Sequence, residues 1–402
     1  MKLSTCELPK KVVFVLERLE NAGHSAYIVG GCVRDILLGK VPMDFDIATS
    51  AMPHEVKSLF DSTVDIGIRH GTVSVLVQGE KIEVTTYRID GEYADGRRPS
   101  SVSFTGDIVE DLSRRDFTVN AIAYNPKHGF VDPFFGQNDI QGRLIKCVGS
   151  PHERFCEDAL RMVRAVRFAS TLGFDVDKSL VEAISCHREK LELVSVERIG
   201  DELRKLLLGC HPEALFLAEQ AGILPHILRG GDLNTGNLAG TIRRIKDSPA
   251  DFPLRLAVLL DGICENNADV LAGLKLSGKT SKAVQSYLSY MHAKIEPNKY
   301  ELKKVLRNLP EYMLDILLEF WKNAGHCANL DELIRQKSEI VQGGECYSLD
   351  KLAISGQDLI AAGIKPGREM GGILESLLDD VMREPGLNDR DSLLGRVLQA
   401  GH

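Results

Sequence analysis

The spacing of apolar side chains divides the chain into two unlike parts. Residues 9–22 repeat apolar positions at helical spacing, with Val12, Val13, Leu16 and Leu19 on one side. From Tyr27 to about Gly149, apolar runs alternate with Gly-bounded turns, and Tyr27–Val29, Phe45–Ala48, Thr72–Val77 and Ile82–Thr86 are predicted strands. Beyond Pro151 strand signals nearly vanish. Helical periodicity takes over in Glu153–Thr171, Lys178–Glu189, Ser195–Leu208, Pro212–Ala221, Leu254–Ile263 and Lys282–Met291. It continues through Tyr300–Asn308, Pro310–Ala324, Leu330–Val341, Ser355–Ala362 and Gly372–Met382. The pattern predicts an α+β chain, with a mixed-sheet head followed by an all-helical remainder. No repeat with a period of about 20–50 residues signals a solenoid.

The 402 residues are too many for one simple core, so several domains are expected. Hydrophobic content of 44% and charged content of 26% are those of a soluble globular protein. No apolar run approaches the roughly 20 residues of a membrane span, and Met1–Cys6 lacks the apolar core of a secretory signal. Nine scattered cysteines with no Cys-x-x-Cys pair read as reduced thiols in a cytoplasmic protein. The net charge of −8 argues mildly against nucleic acid. Distribution matters more than balance, however. Arg97-Arg98, Arg114-Arg115 and Arg161/Arg164/Arg167 are local basic clusters that suit a modest, salt-sensitive grip on RNA.

One stretch carries chemistry. Gly30-Gly31 opens a short helix, Cys32–Leu38, and the strand-like run Asp44-Phe45-Asp46-Ile47 follows at once. Strand alternation sets Asp44 and Asp46 side by side, with Phe45 and Ile47 turned to a core. Two such carboxylates repel unless a cation sits between them. Upstream, the two glycines permit close backbone approach and aim N–H groups at an anion, and Arg34 adds a positive fork. A phosphate cradle beside a divalent-cation site is the equipment of phosphoryl or nucleotidyl transfer.

The residues Tyr27–Thr49, reading G-G-x-V-R-D-x-L-L-G and then Asp44-Phe45-Asp46, resemble the first motif of the class II tRNA nucleotidyltransferase and bacterial poly(A) polymerase family. That family lies within the polymerase-β-like nucleotidyltransferase superfamily, whose fold is expected for the head. The resemblance implies two Mg²⁺ ions roughly 3.5–4 Å apart, and Glu83, in Glu83-Val84-Thr85-Thr86, is the third carboxylate it assigns. Arg114-Arg115-Asp116-Phe117-Thr118-Val119-Asn120 looks like its second motif. There Arg115 suits a triphosphate, while Asp116 and Asn120, one turn apart on a helix, reach ribose or orient an arginine; a salt-bridged helix start capped by Asp116 is the plainer alternative. Asp139–Arg143 resembles the third motif, a tie between head and neck.

Glu157-Asp158-Ala159-Leu160-Arg161, inside the predicted helix Glu153–Thr171, puts Asp158 and Arg161 on one face, with Arg164 continuing it. A local ion pair is one reading. The other is recognition of a base: a carboxylate accepting an exocyclic amine and a guanidinium donating to a ring nitrogen admit C and A and refuse U and G. The run E-D-x-x-R-x-x-R-A-x-R-F matches the family's fourth motif, which the resemblance assigns to protein-based templating. Ser195-Val196-Glu197-Arg198-Ile199 resembles the fifth, with Glu197 or Arg198 as a buttress beside a plain-helix alternative. The Gly- and charge-rich loop Arg88–Phe104 suits a lever that reshapes the pocket from C to A.

The resemblance covers about residues 25–210 and, more weakly, Ile354–Leu359. It implies a catalytic head (1–148), a helical neck (149–208), a body (209–300) and a tRNA-binding tail (301–402). The expected activity is template-independent addition of CMP, CMP and AMP to the tRNA acceptor end from CTP and ATP, releasing pyrophosphate. Terminal A addition alone, poly(A) synthesis, or a silent RNA-binding module are the alternatives; the chain shows no strongly basic terminal extension of the poly(A) type. A membrane partner is not expected, and monomer and dimer both stay open.

Overall fold

A computed structural model describes residues 8–91, 101–230, 232–325 and 329–399. The chain forms two compact units, Met1–Leu238 with Cys264–Leu276, and Ala239–Ile263 with Ser277–His402.

The first unit opens with helix α1 (Lys10–Asn21) and strand β1 (Ala26–Val29), then α2 (Gly31–Leu37), β2 (Asp46–Thr49) and α3 (Pro53–Leu59). Four strands follow: β3 (Thr63–Gly67), β4 (Thr72–Val77), β5 (Glu80–Thr86) and β6 (Arg88–Asp90), which pairs with β7 (Val102–Phe104). Helix α4 (Ile108–Ser113), β8 (Ala123–Asn125), β9 (Gly129–Val131), α5 (Gly136–Gln141) and β10 (Leu144–Ile145) complete the head. Seven strands make one sheet in the order β3-β4-β5-β2-β1-β8-β9. It is mixed, as expected, because β2 and β5 run parallel while the other neighbours are antiparallel.

Alternation along the strands buries Ile28, Ile47, Val73, Val75, Ile82 and Val84 on one face. The buried stripe of α1 is Val12, Val15, Leu16 and Leu19; Val15, not Val13, completes it. The other face is partly covered by a smaller cluster in which Val29 and Ala48 meet Leu112, Ala121 and Val148. Its uncovered part holds the carboxylates.

The neck consists of α6 (Pro151–Glu157), α7 (Leu160–Leu172), α8 (Lys178–His187) and α9 (Val196–Leu207), with β11 (Asp175–Val176) pairing to β10. The expected single helix Glu153–Thr171 is therefore two. It breaks at Asp158, whose backbone is extended at φ −146°, ψ 104°, and whose carboxylate accepts the Leu160 N–H at 3.1 Å. An Asp side chain that bonds backbone two residues ahead competes with the helical ladder. In the second unit Phe252–Ile263, Gly278–Tyr290, Glu311–Ala324 and Arg368–Arg383 are among the helices. No helix of the described residues is long and apolar enough to cross a membrane.

Candidate active site

The carboxylates are placed by strand register. Strand β1 ends at Val29, opposite Asp46, because Gly30 turns to φ +79° and caps α2. With no partner beyond that point, β2 starts at Asp46, and Asp44 lies just outside the strand rather than within it; Phe45 is half-buried rather than in the core. The parallel pairing of β2 with β5 sets Asp46 directly opposite Glu83, so the two side chains share a face. Asp44, Asp46 and Glu83 are all open to solvent. Even so, Asp46 is pushed up to about 6, first by partial desolvation against the sheet and then by the charges of Glu83 and Asp44, with Arg115 opposing.

Among the described residues no three His, Cys, Asp or Glu side chains are drawn together around a metal-sized gap. The charges of Glu83 and Asp44 add to desolvation in raising the Asp46 carboxyl. An all-oxygen donor set of this charge suits a hard divalent cation such as Mg²⁺.

Beside the carboxylates stands a guanidinium. A Cβ on Gly30 would lie 2.9 Å from Arg115 Nη1 at a φ of +79°, so a larger residue would be strained there and would push the guanidinium aside. Arg115 Nη2 donates to Asp111 Oδ2 at 3.3 Å, while its buried Nε has no hydrogen-bond partner. Asp111, completely buried, also takes Arg114 at 2.8 and 3.0 Å. Burial would raise its carboxyl, but Arg114 and Arg115 hold it below the usual range. Sequence reasoning missed Asp111; its signal was the i, i+3 and i, i+4 spacing to the arginine pair.

Asp116 is the hub that joins head to neck. Its Oδ2 accepts Arg164 Nε at 2.9 Å and Nη2 at 2.6 Å, and its Oδ1 accepts the Phe117 N–H at 2.8 Å and Asn120 Nδ2 at 3.1 Å. Burial opposes the charge, yet Arg164 and these bonds bring the carboxyl down to about 2. Asn120 Oδ1 in turn accepts Arg34 Nη1 at 2.6 Å. Arg34 also bonds Asp35 at 2.8 and 2.9 Å, so this fork is engaged within the protein and is not simply aimed at phosphate. Asp116 and Asn120 are not on a helix; Thr118–Asn120 is a single 3₁₀ turn. Of the roles open to them, orienting arginines is the one their contacts display.

The same arginines converge on one ring. The Phe168 centroid lies 5.2 Å from Arg34 Cζ, 5.4 Å from Arg164 Cζ and 3.4 Å from Arg167 Cζ. Buried Glu202 neutralises part of this charge, accepting Arg167 Nε at 2.8 Å with Arg164 Nη1 at 3.5 Å. On the far side of the hub, Thr118 Oγ1 donates to Asp139 Oδ2 at 2.6 Å. This contact ties the third motif to the second.

The expected Asp158–Arg161 pair is not formed. The helix break turns Asp158 toward α9, where its oxygens accept Arg198 Nη1 at 3.2 Å and Nη2 at 2.6 Å. Of the two residues offered as a buttress, Arg198 is the one that contacts Asp158. Arg161 is only 8% exposed and bonds the Arg154 carbonyl at 3.3 Å, the Arg114 carbonyl at 3.2 Å and the Glu157 carboxylate. Strands β6 and β7 pair at the base of the Arg88–Phe104 loop, but residues 92–100, including Arg97-Arg98, lie outside the described residues.

Comparison with known proteins identifies the family. Residues 26–146 match the family model of the poly A polymerase head domain. Residues 173–233 match a probable RNA and SrmB-binding site of polymerase A, and 254–397 a putative tRNA nucleotidyltransferase domain 2. A CCA-adding enzyme of Levilactobacillus brevis is 36% identical, covering 95% of this chain and 96% of its own. That of Limosilactobacillus reuteri is 39% identical, covering 95% and 94%. The crystal structure of the Bacillus stearothermophilus CCA-adding enzyme in complex with CTP superimposes with a TM-score of 0.84 at 29% identity, over 97% of each chain.

Proposed function

The chain belongs to the CCA-adding enzyme family, as relatives 36% and 39% identical over nearly its whole length establish, and from that premise we propose how its site works. It is a template-independent tRNA nucleotidyltransferase that adds C, C and A to the tRNA 3′ end from CTP and ATP, releasing pyrophosphate. The observation that carries this reading is the register of Asp46 with Glu83, with Asp44 beside them and the Gly30–Arg115 approach alongside.

Asp44, Asp46 and Glu83 would hold two Mg²⁺ ions, the donor set and raised Asp46 carboxyl being what such ions relieve. When bound, these ions lower the pKa of an attacking hydroxyl and neutralise triphosphate charge. Arg115, held by Asp111 and with an unpartnered Nε, faces the triphosphate across Gly30. Arg164 and Asp116 fix the neck against the head, so that a nucleotide held by the neck meets carboxylates of the head. This lowers the entropy of bringing the reacting groups together.

Base selection falls to Asp158 and Arg161. A carboxylate has about four acceptor sites, and Asp158 receives the Leu160 N–H and two Arg198 donors, leaving room for an exocyclic amine. Arg161 must exchange one of its bonds, to Glu157 or to a carbonyl, to donate to a ring nitrogen. The helical second unit grips the tRNA by shape and phosphate contacts.

The test is incubation with tRNA lacking its CCA end and with tRNA lacking only the last A, each nucleotide supplied singly. CTP alone should add two residues to the shorter RNA, and ATP one to the longer. Asp44→Ala or Asp46→Ala should abolish transfer while tRNA binding stays within about twofold. Near-normal turnover in either variant removes these carboxylates from the site, and A addition without C addition reduces the activity to its last step.

A further inference from the structure

The sheet continues past the carboxylates, and that continuation carries exposed apolar side chains at its edge. Register links Asp46 to Glu83, Glu83 to Ser74 and Ser74 to Val64, so one row crosses β2, β5, β4 and β3 on a single face. Asp65 pairs with Lys57 of α3 at 2.9 Å, which turns its neighbour Val64 to the opposite face, that of Glu83, and Ile66 follows at the point where the β3–β4 register shifts, between Asp65 and Gly67. Val64 is 42% exposed and Ile66 54%. Half-buried Leu76 and exposed Lys81 are register partners on the same face. Within the row, Ser74 is wholly buried and its hydroxyl has no hydrogen-bond partner.

The two sides of Asp46 differ. Toward β1 and β8 the site is closed by Arg34, Asn120, Asp116 and the neck arginines. An NTP held there leaves the attacking RNA end an approach over β5, β4 and β3. Strands lie about 4.8 Å apart, so Val64 sits two strands, about 10 Å, beyond Glu83. That is the reach of a nucleoside whose 3′-oxygen lies at the carboxylates. Apolar side chains offer a face to any base, and an ammonium on the same surface suits the phosphate behind it.

We propose that Val64, Ile66 and Leu76 form the floor on which the 3′-terminal base of the RNA primer lies, with Lys81 beside its phosphate. The inference rests on the nucleotidyltransferase reading above and assigns the primer half of that site. It accounts for large apolar side chains left exposed next to a charged centre, and it asks for no particular base. An end that changes from the discriminator base to C and then to C again needs such tolerance.

The test measures CTP addition to a tRNA minihelix by the wild type and by the double variant Val64→Ser/Ile66→Ser. Both residues are exposed enough to be replaced without opening the core. The KM for minihelix should rise about fivefold while the KM for CTP stays within twofold, and a minihelix with an abasic 3′ end should show no such difference. An unchanged minihelix KM, or an equal rise with the abasic primer, overturns the floor. So does a change in sedimentation alone, which would assign the patch to contact between copies of the chain. Failure of the wild type to add any nucleotide defeats the underlying reading instead, so the two failures are distinct.

Discussion

Replacing Asp116 with asparagine tests the junction between head and neck. The substitution keeps the shape of the side chain but removes the charge that faces Arg164 at 2.6 and 2.9 Å. The carboxyl falls from an ordinary 3.8 to about 2 in the fold. By linkage this is worth about 2 kcal/mol of stability at neutral pH. Because the folded value is the depressed one, that stability is fully present above about pH 4 and is lost as pH falls through about 2. The variant also leaves Arg164 with Glu202 at 3.5 Å as its remaining ion-pair partner, and breaking one side of a buried pair costs about 3–5 kcal/mol. A loss of about 3 kcal/mol at pH 7 follows, nearer the linkage value because Arg164 stays partly solvated. Urea unfolding followed by circular dichroism measures it. Hydrogen exchange of peptides covering 114–122 and 160–172 should localise it to the junction. A variant within about 0.5 kcal/mol of wild type at pH 7, or a difference that does not narrow below pH 4, would refute the hub.

Three further outcomes are expected. Because Asp46 binds a proton up to about pH 6, Mg²⁺ must displace that proton below this point; half-activating Mg²⁺ should climb about tenfold per pH unit below 6 and flatten above it, and a flat titration from pH 5 to 7 contradicts the carboxylate cluster. Gly30→Ala forces a Cβ to within 2.9 Å of Arg115 at φ +79°, so stability should drop by about 1–2 kcal/mol and the KM for CTP should rise; an unaltered KM would detach Arg115 from the triphosphate. Asp158→Ala should erase the preference for CTP and ATP over UTP and GTP, a discrimination of about 2–3 kcal/mol. Arg198→Ala should weaken that preference more mildly; intact selectivity in both variants would leave Asp158 as a helix break and no more.

The head was legible because strand alternation and motif order act locally. Asp46 and Glu83 stand opposite each other, in keeping with the third carboxylate that the resemblance implied, and Gly30 opens a helix as expected, at a positive φ that its sequence position did not demand. What the residues could not reveal was partnership across long separations. Arg34 belongs to Asn120, and Arg164 to Asp116, 48 residues away; no periodicity encodes either pairing. The single helix assumed through Asp158 failed for a local reason, since the side-chain bond to Leu160 outcompetes one turn of ladder. Once that turn is broken, Asp158 and Arg161 no longer share a face, and the spacing rule that paired them ceases to apply. Asp44 left the strand because its neighbour β1 stops at Gly30.

The sheet order has a consequence for biosynthesis. Strand β1 lies between β2 and β8 and cannot fill its second edge until residues 123–125 have emerged from the ribosome. Arg34 likewise waits 86 residues for Asn120, and Asp116 waits 48 for Arg164. A nascent head therefore keeps β1 half-paired until β8 emerges, and its junction unfinished until Arg164 of the neck follows. Ribosome-bound fragments ending before residue 123 should be open to protease at this strand, and those in which β8 has emerged should resist it.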